Sequence, residues 1–113
     1  MHMSLSSGII VIFSTAPPDK SEILARMLID KRLVACVNVV PVHSYYHWNG
    51  EVCSEPEHLL IAKTTQEKAD EVIAELKAHH PYEVPEIIAL PVSDGHLPYL
   101  EWVHQETHQE TLK

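Results

Sequence analysis

A chain of 113 residues falls at the commonest size for a single domain, and 45% hydrophobic against 21% charged residues supplies apolar material for one core. The 16 acidic residues outnumber 8 basic ones, and the resulting net charge of -8 repels phosphate backbones and anionic membranes, so neither nucleic acid nor membrane is expected as a partner. The 2 cysteines, Cys36 and Cys53, have no zinc spacing and make no disulfide framework, and MHMSLSSGIIVIF lacks the basic start and long apolar run of a signal peptide. These features predict a soluble protein of a reducing cytoplasm.

The run IIVIF at 9–13 is short, β-branched and wholly apolar, which predicts a central strand covered on both faces. In STAPPDKSE the prolines break the strand. Asp19 is expected as an N-cap with Glu22 three residues on, opening a helix that carries Ile23, Leu24, Met27 and Leu28 to about Arg32. LVACVNVVPVHSYYHW, 33–48, is Val- and Tyr-rich and predicts a long second strand, with Pro41 marking a bend, bulge or edge. Asn49-Gly50 is a strong hairpin signal, because both residues tolerate the positive φ of a primed turn. The chain then returns as a third strand through Val52 to HLLIAKT. Thr64 and Glu67 make a capping box ahead of Ala69, Val72, Ile73 and Leu76, which predicts a second helix ending near His80 before Pro81. EIIALPVSD reads as a fourth strand, Asp94-Gly95 as a turn, and Leu97, Leu100 and Val103 as the apolar face of a short third helix.

The order βαββαβ plus a terminal helix is that of an α+β, ferredoxin-like sandwich, here one domain over 1–113 with an ordered core of about 8–107 and flexible ends. That topology brings the end of the first strand at Ser14, the Asn49-Gly50 turn and His79-His80 to one edge. A strand over 34–47 spans about 46 Å at ~3.3 Å per residue. A compact chain of this size has a diameter near ~34 Å. The long hairpin therefore bends or protrudes, exposing aromatic surface and a strand edge that a partner normally covers, so an obligate homo-oligomer is expected.

ACVNVVPVHSYYHWNGE, KTT, HHPYEVPEIIALPV and YLEWV, in this order, resemble the CutA divalent-cation tolerance proteins across roughly residues 9–105. The resemblance implies a ferredoxin-like subunit in a tight homotrimer whose long hairpins pair between subunits. It also implies a role in the response to metal ions, with binding of copper or another divalent cation and no enzymatic activity. In copper-binding members the histidine pair is joined by a cysteine at the end of the first strand; that position is Ser14 here. The resemblance thus implies His79, His80 and Ser14 as the metal edge, and a cysteine at Cys36 fits the family pattern.

The residues themselves leave alternatives open. Neighbouring His79 and His80 diverge by about 100° on an ideal helix and share an ion only where the helix ends; otherwise one packs and the other is solvated. Trp48, Lys63, Tyr82, Glu86, Tyr99 and Trp102 offer polar-tipped aromatics, a carboxylate and an ammonium, the inventory of an inter-subunit cleft or equally of an interface, with Lys63 and Glu86 as an ion pair. Cys36 is either a possible thiol site or a small buried hydrophobe. His104 and His108 chelate only if the last helix reaches them, and His43 and His47 share a strand face with Tyr45. The sequence holds no nucleophile elbow, Gly-rich phosphate loop or HExxH motif. The expected function is a cytoplasmic metal-responsive trimer. The alternatives are a small-molecule sensor using the clefts or a scaffold for an unidentified protein partner.

Overall fold

The structure, a computed structural model, describes residues 7–108. The expected flexible ends, residues 1–6 and 109–113, lie outside the described residues. The elements follow in the expected order: β1 (Ile9–Ala16), α1 (Ser21–Asp30), β2 (Cys36–Trp48), β3 (Glu51–Thr65), α2 (Gln66–His79), β4 (Ile87–Val92) and α3 (Leu97–Thr107). The strands form one four-stranded sheet in the order β2-β3-β1-β4, with every neighbouring pair antiparallel. This is a mixed α+β fold.

Period-two alternation sorts the sheet into two faces. Ile12 pairs with Ala62 and Ser14 with Leu60, so these residues point to one side together with Ala16. There they join Leu24 and Leu28 of α1 and Val72 and Leu76 of α2 in one buried cluster. On the opposite face, Val11, Phe13 and Thr15 are only half-buried, and Val40, Ile88 and Leu90 are exposed. β1 is central, as expected, but within the chain only one of its faces is fully covered. Helix α3 packs against β3 and β1, burying Val103 and Thr107; the Thr107 hydroxyl donates back to the Val103 carbonyl (2.9 Å).

The hairpin turn is as the sequence predicts, with φ of 53° at Asn49 and 80° at Gly50. The molecule extends 46 × 38 × 21 Å with a radius of gyration of 15.3 Å, above the roughly 13 Å of a compact chain of this length. Two helix starts differ from expectation. α1 begins at Ser21 with Lys20, not Asp19, at its cap, because the Lys20 N–H closes a turn onto the Pro17 carbonyl (2.9 Å) and the Ser21 hydroxyl turns back to Pro18 (3.1 Å). Thr64 does not cap α2 either. It stays in β3 with its hydroxyl donating to the Leu33 carbonyl (2.6 Å), and the first N–H of α2, Gln66, is taken by Gly8 (2.9 Å). At the end of α1, Arg32 adopts φ 57° where glycine is usual, and the Arg32 and Leu33 N–H groups bond back to Ile29 and Leu28 (3.0 and 3.1 Å) in a Schellman arrangement.

Leu28 is fully buried between the helices and the sheet. Leu28→Ala should therefore destabilise the fold by about 2–5 kcal/mol, whereas Ile23→Ala on the exposed face of the same helix should stay within about 0.5 kcal/mol. Urea unfolding followed by circular dichroism measures both.

Candidate functional site

Pro81 ends α2 by forcing the residue before it out of helical backbone, and His80 indeed sits at φ -77°, ψ 138°. That one extended residue separates the two histidines. His79 remains on the helix, its Nδ1–H donating to the Glu75 carbonyl (3.0 Å) and its ring half exposed. With the proton on Nδ1, Nε2 keeps a free lone pair directed away from that bond. Glu75 also takes the Lys31 ammonium at 2.7 Å, which holds its carboxyl below the usual range.

His80 turns inward, only 9% exposed. The Tyr82 N–H donates to its Nδ1 (3.2 Å), so the ring proton is on Nε2, which donates to the Thr15 carbonyl (2.8 Å). Both nitrogens are thus engaged in tying the helix exit to the end of β1. The Ser14 hydroxyl is buried and lacks a hydrogen-bond partner, and its register with Leu60 places it on the helix-covered face. Among the described residues no three His, Cys, Asp or Glu side chains gather to hold an ion. Within one chain, then, His79, His80 and Ser14 do not fit a closed metal site; His79 Nε2 is the one imidazole nitrogen of the pair that no hydrogen bond engages, and the unpartnered Ser14 hydroxyl faces the helices instead.

The same edge carries a groove of about 620 Å³ lined by residues of the hairpin, the end of β1 and the segment after α2. Thr15, Trp48 and Pro81 border it together; the residues expected at one edge, Ser14, Asn49, Gly50, His79 and His80, adjoin these in sequence but do not themselves line it. Of the six expected cleft residues, Trp48, Tyr82 and Glu86 line this groove. The other three lie elsewhere: Lys63 donates to Asn38 Oδ1 and approaches Cys36 Sγ at 3.9 Å, and Tyr99 stacks on Trp102 with ring centroids 5.6 Å apart. Within one chain Lys63 and Glu86 do not pair, because Lys63 lies beside Cys36 in the β2–β3 register and finds its acceptor across that pair. Cys36 is half-buried and free, its thiol 3.8 Å from Asn38 Oδ1. His108 leaves the helix at extended angles, so it does not form an i, i+4 helical pair with His104. His43 packs its ring on Tyr45 (5.0 Å) and bonds Ser54 at 2.8 Å.

Sequence reasoning missed Glu57, a carboxylate 4% exposed that accepts the Tyr82 hydroxyl at 2.5 Å. The signal was present in the alternation: Glu57 has the parity of Leu59 and Ile61 and pairs with Val42, which aims it at the open face of the sheet. Beside it the Tyr46 hydroxyl donates to Glu55. That bond, first among the causes, pushes the Tyr46 phenol up to about 12. Burial first, then the bond to Glu57, raises Tyr82 well above the usual range, and burial followed by nearby Cys36 raises Tyr99.

A small α+β chain with a four-stranded antiparallel sheet, three helices and a long aromatic hairpin defines the class of protein. Residues 9–106 match the family described as CutA1 divalent ion tolerance protein. The Thermus thermophilus divalent-cation tolerance protein CutA is 42% identical over 99 residues, 86% of this chain and 96% of its own. The rice chloroplastic protein CutA 1 is 43% identical over 102 residues, 88% of this chain, although these span only 58% of the rice protein. The crystal structure of rice CutA1 superposes with a TM-score of 0.87 at 41% identity, covering 95% of this chain and 100% of that one. The chain belongs to the CutA1 divalent ion tolerance family.

The raised phenol values have a measurable consequence. Since folding lifts them above the usual 10, the neutral phenols add stability that is complete below about pH 10 and is lost as pH climbs through the folded-state values. A spectrophotometric titration should show phenolate absorbance lagging behind that of the unfolded chain. Glu57→Gln should bring part of the lag back toward the ordinary range by weakening the acceptor for Tyr82; an unchanged curve would contradict this assignment.

Proposed function

We propose that this chain is a cytoplasmic, homotrimeric divalent-cation tolerance protein that acts in the response to metal ions by binding rather than by catalysis. The observation that carries this reading is the family match across residues 9–106. The strand order β2-β3-β1-β4, with α1 and α2 packed on one face, supports a ferredoxin-like subunit. Three features support the trimer: a hairpin that extends the molecule, exposed Tyr45, Tyr46, Trp48 and Val52 on that hairpin, and an open sheet face with Val40, Ile88 and Leu90 uncovered. The two free cysteines support a reducing compartment.

Copper or another divalent cation is held weakly at the subunit edge through His79, whose Nδ1–H is oriented by the Glu75 carbonyl in the way that fixes a ligating imidazole. His80 serves as the tie that positions this edge. Calorimetric titration with copper(II) tests the assignment. His79→Ala should abolish the edge binding at little cost in stability, whereas His80→Ala should cost about 1–3 kcal/mol by leaving the Thr15 carbonyl and Tyr82 N–H without their partner. Copper binding by the His79→Ala chain equal to that of the parent would sink the edge site. For the assembly, light scattering should give three times the 12.8 kDa subunit mass; a monomer at micromolar concentration overturns the trimer.

A further inference from the structure

The end of α1 breaks a backbone preference, and the residue that breaks it reaches another helix. Arg32 stands at φ 57°, in the left-handed region that glycine enters freely and a side chain disfavours. The Schellman closure there requires the left-handed turn but not an arginine. What Arg32 adds is its side chain. Its Nη1–H donates to the Glu106 carbonyl at 3.0 Å and lies 3.5 Å from the Glu106 carboxylate. Glu106 is in the last turn of α3, where a helix leaves its final carbonyls without partners of its own and its dipole favours a cation. Both side chains of the ion pair are about half exposed, so the bond to the carbonyl matters more than the paired charges. The neighbouring Lys31 holds Glu75 of α2 at 2.7 Å. Consecutive residues at the end of α1 therefore fasten α2 and α3.

The anchorage is firm on the α1 side and slight on the α3 side. Leu33 and Val34, next to Arg32, are buried; the Leu33 carbonyl accepts the Thr64 hydroxyl (2.6 Å), and the Ala35 N–H bonds the Lys63 carbonyl (2.9 Å). Within the chain only Val103 and Thr107 of α3 are buried, and no side chain caps its start. We propose that Arg32 is the latch of α3: a positioning residue that keeps a disfavoured backbone because its guanidinium closes the C-terminal turn of α3 and couples that helix to α1 and α2. Without the guanidinium the last turn of α3 opens more often, while the cluster under α1 and α2, formed by other residues, keeps its order. This inference is independent of the metal edge, which uses His79.

Hydrogen exchange of the full chain, read by mass spectrometry, tests the latch in Arg32→Gly and Arg32→Ala. Both variants remove the guanidinium, but only glycine also relieves the left-handed backbone. Peptides covering the last turn of α3 should exchange roughly 2- to 10-fold faster than in the parent in both variants. Peptides from β1 and α2 should exchange no faster in Arg32→Gly than in the parent. The urea midpoint of Arg32→Gly should lie above that of Arg32→Ala, which separates backbone strain from the latch and leaves Arg32→Gly to decide the matter should Arg32→Ala fail to fold. Arg32→Lys, which keeps a cation without the planar fork, should restore part of the protection of α3. Light scattering on each variant should return the parent's mass. Exchange of α3 at the parent's rate in Arg32→Gly would overturn the proposal. So would equal acceleration in every element, which would mark a general loss of stability, or a change of assembly mass, which would mark Arg32 as a subunit contact.

Discussion

The antiparallel register between β1 and β3 is the constraint on which the rest of the molecule depends. Pairing Ile12 with Ala62 and Ser14 with Leu60 commits one parity of both strands to the helices and the other to the open face. A slip of one residue would exchange the two sets, putting Lys63 under α1 and α2 and Ala62 and Leu60 outside. The same register, carried across to β2, sets Glu57 opposite Val42 and Lys63 opposite Cys36. Core, groove and the Cys36–Lys63 contact are therefore consequences of one alignment, and none of them can move without the others.

A second constraint acts at the end of α2. Pro81 removes helical backbone from a single residue, and that is enough to give adjacent histidines opposite chemistry. His79 keeps the helix's direction and donates through Nδ1, whereas His80 turns in and donates through Nε2. Because the Tyr82 N–H fills the remaining nitrogen of His80, the path from the helix exit to the groove is a chain of fixed contacts: Thr15 carbonyl, His80, Tyr82 backbone, Tyr82 hydroxyl, Glu57. Rings of His80 and Tyr82 also pack at 4.9 Å. The exit of α2 and the groove share this support, so changes at His80 reach both, while changes at His79 reach only the helix end.

Much of this was legible in the sequence, for reasons that differ by element. The Asn49-Gly50 turn and the Pro81 stop are local requirements on φ and ψ, and they appear where local rules put them. Each of the two helix caps lies one residue beyond the expected position because partners elsewhere in the fold compete with local capping: Thr64 gives its hydroxyl to Leu33, thirty-one positions away, and Gly8 takes the first N–H of α2. The cleft residues were found as residue types, but their partition was not. Whether Lys63 meets Glu86 depends on which face of the sheet each occupies and on how far the hairpin reaches, and composition carries neither. Glu57 was overlooked for the converse reason, since a glutamate in a strand near a hairpin reads as a solvated charge until the alternation is followed through Leu59 and Ile61.

Glu57 places a buried carboxylate at the base of the hairpin, where its parity mates Leu59 and Ile61 are apolar. A hairpin that only needed to protrude would put neutral or apolar residues at its inward base, as β3 does at Leu59 and Ile61, because an ionised carboxylate there loses hydration without gaining a countercharge. Here the chain instead retains the carboxylate and spends a tyrosine hydroxyl on holding it, at the one point where β1, the hairpin and the exit of α2 converge. Local rules of stability are broken most often where a site needs the charge. The cost is tolerable because it falls outside the α1–α2 cluster, whose packing is formed from Ile12, Leu24, Leu28, Leu60, Val72 and Leu76 without reference to the groove. The largest buried cluster thus lies on the face covered by α1 and α2, and the carboxylate lies outside it.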